Sequence, residues 1–126
     1  MVNIDKHISH WRDGAEEDLE VANQLITSGK VRHGLFFLHL ALEKMLKAHV
    51  CRHTKDIAPR LHNLVRLAAL SGIPFENEQI AFLAEMNPYN LEGRYPEMWE
   101  EPPSQEQTKK IQQVTTEMFK WLMTQL

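Results

Sequence analysis

An all-α fold is predicted for this chain, an up-and-down bundle of four to five helices in a single domain over residues 1–126, and three observations predict it. Apolar residues recur at spacings of three and four in most segments, the mark of an amphipathic helix. Only five Gly and six Pro interrupt 126 residues, which favours long helices over many short strands. No stretch shows the strict alternation of a half-buried strand.

The first helix is read from about Lys6 to Thr27. Ile8, Trp11, Ala15, Leu19, Ala22, Leu25 and Ile26 fall on one face, and Glu16, Glu17, Asp18 and Glu20 turn mostly to the other. Ser28-Gly29-Lys30 stops it, because glycine tolerates the left-handed conformation past a helix end. The second helix follows at once, so the two form an antiparallel hairpin.

That second element, His33 to His53, is the one the rest is arranged around. Gly34 to Leu42 is apolar on nearly every side, and Glu43 to Val50 consists largely of good helix formers. Leu35, Leu38, Leu42, Met45, Leu46 and Val50 fill a broad apolar arc. Gly34, Ala41 and Ala48 recur every seventh residue along its border, a strip that lets a neighbouring helix approach closely. The narrow polar arc carries His39, Glu43 and Lys47 at successive i,i+4 positions, with Lys44 beside them, so their side chains can touch from turn to turn. Two readings fit this line: a half-exposed His beside a surface Glu/Lys pair, or a row lying in a groove where it meets a ligand or partner.

Pro59 disfavours continuing the helix through Ala58, so a connection lies there. Leu61, Leu64, Val65, Ala68 and Ala69 mark a short third helix ended by Ser71-Gly72. Asn77 is expected to cap a fourth, carrying Ile80, Leu83, Ala84 and Met86 and closed by Asn87-Pro88. The third and fourth read as halves of one broken element. Tyr89 to Pro103 has no period of either kind, and a loop of this length is often functional. It holds Arg94, Tyr95 and Trp99: either the aromatics pin the loop to the bundle while Arg94 pairs with a Glu, or Arg94 offers its planar fork to a phosphate or carboxylate. Ser104 and Gln107 have the spacing of a capping box. The last helix then shows Ile111, Val114, Met118, Trp121, Leu122 and Gln125 on one face.

Composition narrows the function. A net charge of −3 with seven His supplies no global basic field, so duplex DNA is not an expected partner. Cys51 is the single cysteine, which excludes an internal disulfide and a Cys-based zinc cluster and suits a reducing cytoplasm. Its helical surroundings give it a structural role. The start of the chain carries no secretory pattern and no apolar run is long enough to span a bilayer, so a cytoplasmic protein away from membranes is expected. His7/His10 and His49/His53 have helical metal-ligand spacing but no third ligand nearby in sequence. Neither metal nor cofactor is therefore expected. No phosphate loop or nucleophile elbow occurs, and Glu16/Glu17 and Glu100/Glu101 stand on solvated segments unsuited to acid–base work.

Four pieces in order resemble a HEPN domain: Trp11 to Asp18, the run Gly34 to Ala48, Leu61-His62-Asn63-Leu64, and Asn90-Leu91-Glu92-Gly93-Arg94-Tyr95-Pro96. The resemblance covers nearly the whole chain. It implies a frequently dimeric helical bundle that acts as an RNase toxin, or as a nucleotide- or RNA-binding partner of a minimal nucleotidyltransferase in a toxin–antitoxin-like pair. RNase members carry Arg, four to six residues, then His, near the last helix. Counting from Arg94, this sequence has Trp99, Glu100 and Glu101 at those places. Arg32 and His39 meet the spacing formally, but on the second helix, and roughly one such match is expected by chance in a chain of this composition.

The expectation is thus a binding module whose site holds His39, Glu43, Lys47, His62, Arg94 and Tyr95, suited to a phosphate and a stacked base of a nucleotide or single-stranded RNA. A nucleotidyltransferase is the expected partner, and a homodimer would form along Gly34, Ala41 and Ala48. Two alternatives stay open. One is a metal-independent RNase using Arg32, His39 or Arg94 as catalytic groups, and the other a purely structural interaction protein.

Overall fold

The computed structural model describes residues 2–126. The elements are α1 Ile4–Thr27, α2 Val31–Thr54, α3 Leu64–Leu70, α4 Asn77–Met86, α5 Pro88–Arg94, a 3-10 turn Pro96–Met98, and α6 Gln105–Gln125, with no strand among the described residues. This is the all-α, up-and-down bundle that the sequence predicts. No helix among the described residues is long and apolar enough to cross a membrane.

Asn3 caps α1 by accepting from the Lys6 amide, and Gly29 at φ 84° closes it, with the Lys30 amide bonded back to the Leu25 carbonyl. Helix α2 then lies antiparallel to α1 and also contacts α3, α5 and α6. Its apolar arc, Leu35, Leu38, Leu42, Met45, Leu46 and Val50, is buried to the last residue. Burying side chains of this size contributes about 1.5–3 kcal/mol each, so α2 is the spine of the core.

The small-residue strip corrects one expectation. A Cβ on Gly34 would lie 2.3 Å from Ile26 Cγ1 and 3.1 Å from the Ala22 carbonyl oxygen. Ala41 and Ala48 have no exposed surface. The strip is buried inside the chain, against α1 at Gly34, and so offers no open face for a second copy.

The remaining elements differ from expectation in instructive ways. Helix α3 begins at Leu64 and not near Leu61, because the Asn63 side chain accepts from the Val65 and Arg66 amides and fixes the first turn there. Helix α4 is capped by Glu76, which exchanges bonds with Gln79, so Asn77 is its first residue and not its cap. The broken element is α4–α5, not α3–α4. Asn87 keeps helical angles (φ −55°, ψ −40°) between them, and Pro88 opens α5 at a position where a missing N–H costs nothing. The aperiodic stretch is therefore helical as far as Arg94. Taking α4–α5 as one kinked rod leaves five elements in the bundle.

Helix α6 starts on the capping box: Ser104 Oγ accepts from the Gln107 amide at 3.1 Å, and Gln107 Oε1 accepts from the Ser104 amide at 2.9 Å. It buries Met118, Phe119 and Leu122. His49 Nε2 donates to the Leu122 carbonyl at 2.8 Å, tying α6 to α2. Desolvation in that contact holds the His49 pKa below its ordinary value, against the backbone bond. Cys51 is buried and unpaired.

Candidate functional site

The polar arc of α2 is buried, which corrects the reading of a half-exposed His beside a surface pair. His39, Glu43 and Lys47 are 0%, 3% and 5% exposed. Glu43 gathers the cluster. Lys47 Nζ donates to its Oε2 at 3.2 Å, His62 Nδ1 donates to Oε1 at 3.0 Å, and His39 Nδ1 stands 3.8 Å from the same oxygen. Lys47 Nζ also lies 5.1 Å from the centre of the Trp11 ring on α1, a cation–π contact. Lys44 leaves the line and pairs with Asp18 on α1 at 2.7 Å.

The short Leu61-His62-Asn63-Leu64 segment shows why these residue types stand together. Asn63 caps α3, the Leu64 side chain is fully buried, and the Leu64 amide donates to Asn87 Oδ1 at 2.9 Å. Asn87 Nδ2 donates in turn to Asn63 Oδ1 at 3.3 Å. The two asparagines lock the start of α3 to the α4–α5 junction, and this lock places His62 against Glu43.

His39 is sealed beneath this arrangement. Its pKa is lowered to about 4, first by desolvation and further by His62, with Glu43 and Asn87 opposing. At neutral pH it is an uncharged imidazole, and neither ring nitrogen has a well-formed hydrogen bond. The Asn90 side chain, buried on α5, likewise leaves Nδ2 without a partner among the described residues.

Arg94, at the end of α5, stands 5.5 Å from the centre of the Phe36 ring and is exposed. Phe36 and Glu43 are seven residues apart and share one face of α2. The guanidinium, over the Phe36 ring, therefore lies toward the α2 face that carries the buried line. Tyr95 and Trp99 beside it are 48% and 49% exposed. Trp99 is held by its indole N–H to the Glu92 carbonyl at 2.6 Å and by Arg32, whose guanidinium lies 4.5 Å from the ring centre. Arg32 also donates to the Glu100 carbonyl.

The sequence-predicted residues thus separate into two tiers. His39, Glu43 and Lys47 form a closed floor touched by the half-exposed His62, whereas Arg94 and Tyr95 are exposed at the end of α5, with Arg94 over Phe36. Arg32 straps the segment after α5 to the start of α2 and does not join His39. Trp11, Phe36, Asn87 and Asn90 complete the site and were not among the candidates. The Asn87-Pro88 pair was legible only as a helix stop, and Trp11 only as an apolar residue of α1. Among the described residues no group of three or more His, Cys, Asp or Glu side chains could hold a metal ion.

The fold and the site define a small helical module with a buried His–Glu–Lys line under a rim of arginine, histidine and aromatic side chains. The sequence matches the HEPN domain over residues 8–125, and the chain belongs to that family. Membership makes it a module of the nucleotide- and RNA-related kind. Among solved structures, TT1696 from Thermus thermophilus shares the fold at 16% identity, with a TM-score of 0.78 over 94% of this chain and 98% of that one. No curated protein matches the sequence.

Proposed function

We propose that this HEPN domain binds a nucleotide or the phosphates of single-stranded RNA at the Arg94 rim and serves as the partner of a minimal nucleotidyltransferase. The observation that carries the reading is the exposed Arg94 guanidinium over the half-buried Phe36 ring, next in the chain to the exposed Tyr95. An arginine fork suits phosphate oxygens, and a flat ring beside it suits a stacked base. Glu43 does not spoil the field, because Lys47 neutralises it from inside. The buried line serves as the rigid floor that fixes His62.

Binding is favoured over ribonuclease chemistry. A general base must reach the 2′-hydroxyl, and His39 has no exposed surface. Arg32 is engaged with Trp99 and the Glu100 carbonyl.

The test is fluorescence anisotropy of a labelled oligouridylate, with ATP as a second ligand. Arg94→Ala is expected to weaken binding by about tenfold and to flatten the salt dependence by about one phosphate contact. Tyr95→Ala should weaken it similarly, since stacking is worth about 1–3 kcal/mol per base. Absence of binding at low salt, or binding indifferent to both substitutions, refutes the site. Cleavage of the RNA in EDTA that is abolished by Arg94→Ala or His39→Ala would replace it with the ribonuclease reading. Co-expression with a minimal nucleotidyltransferase tests the partnership, which fails if the two proteins elute separately at micromolar concentration.

A further inference from the structure

A second concavity lies away from the Arg94 rim. A groove of about 760 Å³ runs between the α4–α5 rod and the first half of α6, with the segment from Glu100 to Ser104 along one side. Helix α5 divides the two regions. Asn90 is buried, and Arg94, four residues on, reaches the Phe36 ring of α2. Tyr89 and Glu92, on the opposite face of the same helix, line the groove.

The groove has a distinct chemistry. Phe82 and Tyr89 from the kinked rod and Ile111 and Val114 from α6 give it an apolar floor, each half-buried within the chain and with surface left over. Glu85, Glu92, Glu100 and Glu101 stand around that floor, and Lys110 is the sole basic residue of the lining. Among the described residues none of the four carboxylates is in an ion pair. Their mutual crowding is felt: desolvation first, and Glu100 second, hold the Glu92 carboxyl above its usual range against the pull of Arg32. Phosphate would be repelled here, so the groove is no extension of the nucleotide site.

We infer that this groove is a docking site for a partner protein's basic amphipathic segment, in which Arg or Lys side chains alternate with large apolar ones. Charge complementarity selects the occupant. An apolar floor alone would take any greasy segment, and four unpaired carboxylates alone would take any cation. The two together fit a chain that lays apolar side chains onto Phe82, Ile111 and Val114 and reaches with its cations to the glutamates at the rim. A volume near 760 Å³ holds a few side chains, not a folded domain. The site stands on its own residues and does not depend on the nucleotide reading.

The test uses the full chain and a fluorescein-labelled ten-residue peptide alternating Arg with Leu and Phe, followed by anisotropy. Binding is expected to weaken with added salt. A Glu92→Gln/Glu100→Gln double variant, the first site half-buried in the groove wall and the second exposed, should weaken it roughly tenfold, at about threefold per charge pair. Val114→Ser, which changes no charge, should weaken it by about threefold through loss of floor contact. Unchanged circular dichroism secures the fold of each variant. No binding, or binding indifferent to either variant, overturns the inference. So does spermidine competing as strongly as the peptide, which would make the occupant a small polyamine. A doubling of mass in sedimentation that the glutamine variant abolishes would assign the groove to a second copy of the chain, again overturning it.

Discussion

Replacing Glu43 by Gln isolates the contribution of the buried line. The Lys47 side chain is 6% exposed, and its one hydrogen bond among the described residues goes to Glu43 Oε2 at 3.2 Å. Without the carboxylate an ammonium ion is left in the core. Breaking a buried pair from one side costs about 3–5 kcal/mol. The Trp11 face, 5.1 Å from Nζ, offsets about 1 kcal/mol of that. Loss of the His62 contact adds about 0.5 kcal/mol, since that imidazole is 54% exposed and its pairing is screened.

The net expectation is a loss of about 3–4 kcal/mol, or roughly 10–15 °C in Tm for a domain of this size. Urea unfolding followed by circular dichroism at neutral pH reads it directly. The double variant Glu43→Leu/Lys47→Met removes both charges and should recover most of the loss, because apolar residues of similar volume replace a buried pair at little cost. Two results refute the reasoning: a Glu43→Gln loss below about 1 kcal/mol, or a double variant as unstable as the two single losses added together.

Two further predictions follow from burial and packing. The His39 pKa is about 4 in the fold against 6.5 for the free side chain, so the unfolded chain takes up the proton first as pH falls. Stability from this group is complete above about 6.5 and disappears as pH drops toward 4, a loss of about 3 kcal/mol; His49 shifts the same way. The difference in urea midpoint between wild type and His39→Leu should therefore change across pH 7 to 4, and parallel curves would refute it. Gly34→Ala places a methyl against the Ala22 carbonyl, a backbone atom that cannot turn aside, whereas a Cβ on Gly14 meets Lys44 Cδ at an ordinary 3.4 Å. Gly34→Ala should cost about 1–2 kcal/mol net of the better helix propensity, and Gly14→Ala should stabilise by about 0.5–1 kcal/mol; a thermal melt showing both variants stabilised would refute the close approach of α1 to α2.

What was legible in the sequence was what neighbours along the chain decide. The α1–α2 hairpin follows from Gly29, the start of α6 from Ser104 and Gln107, and the face of α2 from its own periodicity. Burial of the polar line was not legible, because His39, Glu43 and Lys47 would show the same spacing on a wet surface. Their cover comes from residues distant in the chain: His62 from the α3 entry, Asn87 from the rod, Trp11 from α1. The small-residue strip was read correctly as a close-approach face, but pattern alone does not say whether the approaching helix belongs to the same chain. Helix α5 was missed for a local reason. Seven residues between Pro88 and Arg94 are too few to display a period, and the helix holds by packing on α2.

That short helix explains how one small domain can present two surfaces of opposite character. Because Asn87 keeps helical angles, α5 continues α4 with a kink and lies flat on α2, so both of its faces become walls. The Arg94 face is anchored by the Asn63–Asn87 lock and backed by a neutralised Glu43. The Tyr89 and Glu92 face has no such compensation, since among the described residues none of its carboxylates is in an ion pair. Arg32 sits at the seam, stacking on Trp99 and donating to the Glu100 carbonyl, and so joins the rim aromatics to one edge of the acidic groove. Removing its side chain would loosen both regions at once, whereas Arg94→Ala should disturb only the first and Glu92→Gln only the second. An asymmetric pattern of this kind in the two binding assays is what separate surfaces on a shared scaffold require, and a purely structural bundle would bind neither probe.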